Sequence, residues 1–352
     1  MVLIRSVSLA AVACVLAWSC SKPEASDGQT ATGSGSTELN LYTARHYDSD
    51  LPLYEQFTRE TGISINRIEG NADQLVARIR AEGPGSPADV FIAADAGALR
   101  RAQDAGVFQP VSSTELEARI PSGLREPSGL WFGLTRRARI VAYDPSKVRP
   151  DEIDDYADLA SPRFAGKLCV RSSDSVYNLS LVGALIEALG TEEARAWTQG
   201  VVANMARPPQ GGDRDQIRAV GAGECEVALT NSYYYLRMRT GEDQADRAVT
   251  EKVALAFPSL AGQGAHVNIS GGGVTATAPN RENAIRFLEF LASQNAQAHT
   301  ASFNSEFPVS EDTPWPEALA PYKSFVAHPM PVHTFAARQS EALALMTEAG
   351  WK

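Results

Sequence analysis

The sequence is short of several things at once, and each shortage closes a class. Positive charge is in deficit: Lys and Arg number 32 against 42 for Asp and Glu, a formal net charge of −10 with no basic cluster. An acidic chain of this kind is a poor ligand for the phosphate backbone, so nucleic acid is not expected as a partner. Beyond the first twenty residues there is no long apolar run, which excludes a polytopic membrane protein. Gly (27) and Pro (20) are at ordinary levels and without period, so neither a collagen-like nor a low-complexity chain is indicated. No Cys-x-x-Cys-His is present for haem attachment, and no Gly-rich loop joins a strand to a helix as a phosphate cradle. A 2-His-1-carboxylate set and a nucleophile–base pair are also missing, so an enzyme is not expected. What remains is 352 residues that are 44% hydrophobic and 21% charged, enough for a sizeable core divided over two lobes.

The apolar run at the start reads as an export signal. Arg5 supplies its positive end, and Val7 to Trp18 have the length of a signal core rather than of a membrane span. Ala17-Trp18-Ser19-Cys20 resembles a lipoprotein cleavage site, predicting a signal peptide over 1–19 and lipidation at Cys20; Cys14 is the rival, and simple cleavage the plain alternative. Residues 20–37 are rich in Ser, Thr, Gly and Ala and read as a flexible tether. Removing 1–19 takes one Arg and no acid, leaving a mature charge of −11. The chain has only four cysteines, and the two outside the signal, Cys169 and Cys225, form an even pair in an exported protein, which predicts a disulfide over two buried thiols.

Past the tether, strand and helix patterns alternate. Strands are expected at 39–42, 63–68 and 89–94, with helices between them and after them, a β-α-β-α-β-α order that calls for a largely parallel sheet. A second unit has strands at 138–143, 167–171, 226–230, 253–257 and 265–269, and helices at 177–189, 191–204, 213–221 and 231–239. Gly271-Gly272-Gly273 reads as a flexible return crossing, and mobility is expected near 135–141 and 268–275. Helices at 280–293 and 336–348 close the chain. The lobes are expected at 38–137 plus 275–352, and at 138–274.

The least ordinary feature is Tyr233-Tyr234-Tyr235. With 10 tyrosines in the chain, such a triple arises by composition in only about one chain in a hundred. It sits where a strand becomes a helix, and ligands of parallel α/β sheets bind at the carboxyl ends of strands. Three consecutive helical residues cannot all face one core. Tyr177 follows the strand at 167–171, and His46-Tyr47 follows the first strand, so phenols and one imidazole stand at three strand ends. Phenols ionise near pH 10, and only a highly charged cation displaces their protons at neutral pH. Zn²⁺ and Ca²⁺ favour other donor sets, so the chemistry points to Fe³⁺. His266, His299, His328 and His333 lack metal spacing and read as structural, as do Asp89 and Asp95.

Ala44-Arg45-His46-Tyr47, Leu134-Thr135-Arg136-Arg137-Ala138-Arg139, Lys167-Leu168-Cys169-Val170-Arg171 with Tyr177-Asn178, Asn231-Ser232-Tyr233-Tyr234 and His266-Val267-Asn268-Ile269-Ser270-Gly271 together resemble the periplasmic ferric-iron-binding proteins of bacterial ABC uptake systems. The resemblance runs from about residue 39 to the end of the chain. It implies an α/β, two-lobed, type II periplasmic-binding-protein fold, similar to a transferrin lobe, with each lobe a mostly parallel sheet flanked by helices and two strands crossing between lobes. It implies Tyr47, Tyr177, Tyr233 and Tyr234 as iron ligands, His46 as a ligand found in some members only, and Tyr235 outside the set. Arg137, with Arg45 as a second candidate, would stand beside the iron or a synergistic anion such as carbonate or citrate. Arg136 and Arg139 leave the register of that arginine open. The implied partner is an ABC permease of the inner membrane, and the implied state a periplasmic monomer. An oxyanion or small organic cation held by the same fold is the alternative.

Overall fold

The computed structural model describes residues 36–352, so the expected signal, most of the tether and Cys20 lie outside the described residues. The first unit follows the apolar pattern closely. Strand β1 (Glu38–Thr43) alternates, sending Leu39 and Leu41 to one core and Tyr42 to another. Helix α1 (Leu51–Thr61) buries Leu53, Tyr54 and Phe57 and stops where Gly62 takes φ 74°, a left-handed turn that glycine adopts without cost. Then come β2 (Ser64–Glu69) and α2 (Ala72–Glu82), whose Asn71 side chain caps the helix by accepting from the Asp73 N–H. Strand β3 (Val90–Ala93) is buried along its whole length, as its unbroken apolar run requires. Helix α3 (Ala96–Asp104) is capped by Asp95, and the short α4 (Thr114–Arg119) by Ser113.

Strand β4 (Phe132–Tyr143) is twice as long as expected. It is followed by β5 (Leu168–Cys169), α5 (Val176–Leu189), α6 (Thr191–Asn204), α7 (Asp213–Gly221), β6 (Val227–Asn231), α8 (Ser232–Thr240), α9 (Gln244–Lys252), β7 (Ala254–Ala256) and β8 (Val267–Val274). The chain ends with α10 (Arg281–Ala292), α11 (Gln294–Asn304), α12 (Val332–Ala336) and α13 (Gln339–Glu348). Helices α4, α9, α11 and α12 are additions to the sequence reading.

The strand order is β2-β1-β3-β8-β4-β6-β5, with β7 also on β4. Parallel pairing holds for β1 with β2 and β3, and for β5 with β6; β4, β7 and β8 pair antiparallel. Two strands belong to both halves of this mixed sheet. Up to Ala138, β4 pairs with β8; from Arg139 onward it pairs with β6 and β7. The β8 strand pairs with β4 and then, through Gly271–Val274, with β3.

The three glycines expected as a return crossing lie within strand β8: they are buried in it, and none has a positive φ. Their reason is close approach. A Cβ on Gly272 would stand 2.8 Å from the Phe91 carbonyl oxygen, and one on Gly273 2.1 Å from that of Leu130. At the chain end, helix α13 packs on α5 and α6, and α12 bridges α3 and α5. Trp351 seals this packing by donating its indole N–H to the Arg171 carbonyl at 2.8 Å.

Cys169 and Cys225 form a disulfide with Cα atoms 5.9 Å apart. It lies between β5 and the approach to β6, which are hydrogen-bonded neighbours. Both of these strands lead to tyrosines.

Candidate metal centre

Each tyrosine is placed by the end of a strand. Tyr47 follows β1, Tyr177 is the second residue of α5 after β5, and Tyr233 and Tyr234 open α8 directly after β6. The helix starts matter electrostatically, because unpaired N–H groups there favour negative charge, including a phenolate. The hydroxyls converge: Tyr47 Oη donates to Tyr233 Oη at 3.3 Å, and Tyr177 Oη and Tyr233 Oη are 3.1 Å apart. Tyr234 joins through its ring, 4.2 Å from that of Tyr233. Tyr235 points the other way, donating to the Val253 carbonyl at 2.8 Å in the core. The triple tyrosine thus divides as helical geometry requires.

Burial holds the hydroxyls of Tyr47, Tyr177 and Tyr233 protonated, and each would be raised further by negative charge on its neighbours. For Tyr177 and Tyr233 the rise is large. Arg137 works in the opposite direction on both. Tyr47, Tyr177 and Tyr233 therefore form a neutral knot of phenols at ordinary pH, with oxygens close enough to turn toward one cation. Among the described residues no group of three or more His, Cys, Asp or Glu side chains could hold a metal ion, so the tyrosines have no rival.

Guanidinium groups surround the knot. Arg137, Arg139 and Arg171 stand 5.6, 5.9 and 5.3 Å from the Tyr177 ring centre, while Arg45 and Arg237 stand 4.8 and 5.4 Å from that of Tyr47. The alternation of β4 resolves the arginine register. Arg137 and Arg139 share the face toward Tyr177, whereas Arg136 points away and donates to the Pro308 carbonyl. Arg139 is paired with the fully buried Asp213 at 2.9 Å and also meets Asn178 and Asn231. Arg171 shares the same carboxylate at 3.4 Å. Arg137 has no carboxylate partner among the described residues. It donates to the Ala94 carbonyl and lies 3.5 Å from Ser270 Oγ, with its Nε unpaired. Three guanidinium groups against one carboxylate leave surplus positive charge, which suits a site that becomes anionic when its phenols ionise.

The remaining candidates separate. His46 does not join the knot: its side chain is 57% exposed, with Nδ1 3.7 Å from Glu69. Arg45 lies under Tyr47, but its charge is engaged by Asp50 and Glu306 at 3.0 and 2.9 Å, so it is not open to an anion. Asp95 is a cap that also accepts from Ser180 and Asn268, and Asp89 accepts from Asn40 and Asn280. His266 is buried against Phe335. Asp213, Arg171, Arg237 and Glu306 escaped the sequence reading as site residues. Arg171 and Arg237 had a usable signal, standing near the strand ends that carry the tyrosines.

Comparison with known proteins places the chain in a family. Residues 85–326 match the family of bacterial extracellular solute-binding proteins. The chain is 47% identical to iron uptake protein A1 of Synechocystis, over 90% of this chain and 88% of the relative. It is 26% identical to the major ferric iron-binding protein of Neisseria meningitidis serogroup B, over 92% and 96%. Among solved structures, the Trichodesmium protein IdiA (FutA) in complex with iron and citrate superposes with TM-score 0.86 at 47% identity, covering 90% of this chain and all of that one. A ferric binding protein from Campylobacter jejuni superposes with TM-score 0.85 at 36% identity, covering 89% of this chain and all of that one. The architecture shared with these structures is the two-lobed type II form. The chain belongs to the bacterial extracellular solute-binding proteins.

Proposed function

We propose that this protein captures ferric ion outside the cytoplasm with phenolate oxygens and delivers it to an ABC permease. One observation carries the reading: hydroxyls from three different strand ends meet within 3.1 and 3.3 Å, with no metal-holding cluster of His, Cys, Asp and Glu among the described residues. Tyr47, Tyr177, Tyr233 and Tyr234 are the proposed ligands. Tyr177, Tyr233 and Tyr234 come from the part of the chain between β4 and β8, and Tyr47 from the part before β4, so closure about the crossing strands completes the set. We place the lobes at 38–137 plus 275–352, and at 138–274, with α12 bridging the two and α13 packed against α5 and α6 of the second. His46 is left outside the ligand set.

As the ion enters, each phenol gives up its proton, and Fe³⁺ with four phenolates is left with a charge of −1. Arg137, which lacks a carboxylate partner, is placed to offset that charge or to hold carbonate or citrate beside the ion. Release follows from reprotonation of the phenolates. A lipid on Cys20 would tether the protein near its permease.

The test is a visible spectrum of purified protein titrated with ferric citrate. A tyrosinate-to-iron charge-transfer band should grow to one equivalent, weaken in Tyr177→Phe and Tyr234→Phe, and be unchanged in Tyr235→Phe. No band in the wild type, together with tight binding of an anion, would favour the oxyanion alternative.

A further inference from the structure

Glu306 is 2% exposed and belongs to no strand or helix. It follows α11, where Ser305 adopts φ 56° and turns the chain back toward β4. Phe307 then exchanges two backbone hydrogen bonds with Arg136, at 2.8 and 3.0 Å. The Glu306 carboxylate arrives where both crossing strands pass. Its Oε1 accepts from Thr135 Oγ1 of β4 at 2.9 Å and from Ser270 Oγ of β8 at 3.3 Å. Its Oε2 accepts from Arg45 Nη2 at 2.9 Å.

Arg45 continues the connection. Its guanidinium also donates to Asp50, at 3.0 and 3.3 Å, and lies 4.8 Å from the Tyr47 ring centre. Asp50 in turn accepts from Asn304 Nδ2 at 2.8 Å. Residues 304 and 306 therefore grip residues 50 and 45, on either side of Tyr47. A buried carboxylate left without its cation is costly, so Arg45 cannot leave this position cheaply. Nor can the segment that carries Tyr47 shift against the crossing strands without breaking these bonds.

We propose that Glu306 is a positioning residue for metal capture: through Arg45 it fixes the Tyr47 segment to the two crossing strands and so sets where the Tyr47 oxygen stands. The proposal rests on Tyr47 being a ferric ligand. The plain alternative is a buried ion pair that supports folding alone, and the two make different predictions.

Ferric affinity is measured by competition with citrate for the wild type, Glu306→Gln, Glu306→Ala, Tyr47→Phe and the double variant Glu306→Gln with Tyr47→Phe. Thermal unfolding of each iron-free protein checks the fold. The Gln variant keeps the shape and an acceptor for Thr135 and Ser270, so it remains informative if the Ala variant does not fold. Outer partners of metal ligands typically contribute about ten- to hundredfold in affinity, and Glu306→Gln should lose that much. Its charge-transfer maximum should move toward that of Tyr47→Phe. In the Tyr47→Phe background the same change should add almost nothing, because the group it positions is gone. Wild-type affinity in Glu306→Gln, or a loss that persists in full in the Tyr47→Phe background, overturns the role of Glu306 while leaving ferric binding standing. A wild-type protein without the charge-transfer band refutes ferric capture itself, and this role with it.

Discussion

Ferric affinity should fall steeply with acidity, and by an amount that counts the phenols. Burial keeps Tyr177 and Tyr233 protonated well past their usual range, and Tyr47 is raised too. The metal must therefore displace one proton per ligating oxygen. Each displaced proton makes affinity change tenfold per pH unit, equal to about 1.4 kcal/mol. With four phenolates the fall is about ten-thousandfold, or roughly 5.5 kcal/mol, per unit of acidification. Iron hydrolysis and citrate protonation also vary with pH, so the informative quantity is a ratio. Wild type and Tyr177→Phe are measured at each pH against the same citrate concentration, and those effects cancel. The variant releases one proton fewer, so the wild-type advantage should shrink about tenfold for each pH unit lost between roughly pH 8 and 6. Tyr235→Phe should show no such trend. A wild-type to Tyr177→Phe ratio that stays flat across the range would refute displacement of a Tyr177 proton by the metal.

Other outcomes follow from the same structure. His266 is held neutral by burial, with Arg139, Arg137 and His328 acting in the same direction, and its pKa drops to about 3. Its unfolded form takes a proton near pH 6.5, so its contribution is intact above that pH and is lost as pH falls toward 3; chemical denaturation should show up to about 3 kcal/mol lost between pH 7 and 4.5, and His266→Gln should flatten that slope. The Cys169–Cys225 bridge spans 56 residues, so replacing both cysteines with Ala should cost about 4 kcal/mol in the chain-entropy treatment, read by denaturant midpoint, while thiol titration of the unreduced, denatured protein should find neither thiol free. Gly273→Ala would drive a Cβ to 2.1 Å from the Leu130 carbonyl oxygen, and a loss of about 2 kcal/mol or more in unfolding free energy is expected; an unchanged midpoint would contradict the close-packed account of β8.

The parts that were legible in the sequence are those written in local pattern. Gly62 ends α1, Asn71 opens α2, and the unbroken apolar run at 90–93 marks a strand covered on both faces. The tyrosines that meet at the strand ends were legible too, because a tyrosine after a strand is visible without knowing its neighbours. Helices α9 and α11 were not, since Gln244–Lys252 buries only Asp246 and Thr250, and α11 buries Gln297, Thr300 and Asn304 alongside only two small alanines. The first half of β4 was hidden by its consecutive arginines, whose opposite orientations only the sheet reveals. Glu306 had no local signal at all: it meets Arg45 across 261 residues, and a burial that depends on such distant partners leaves no mark on its own segment. The glycines of β8 show the reverse case. Their presence was plain, but whether they served freedom or close packing depended on Phe91 and Leu130 lying against them.

The most direct test of the central claim is a crystal structure of the ferric-loaded protein with an anomalous difference map recorded at the iron edge. One strong peak is expected in bonding contact with the phenolic oxygens of Tyr47, Tyr177, Tyr233 and Tyr234, with Tyr235 still bonded to Val253. A peak elsewhere, or one not bonded to Tyr177 and Tyr233, would contradict it.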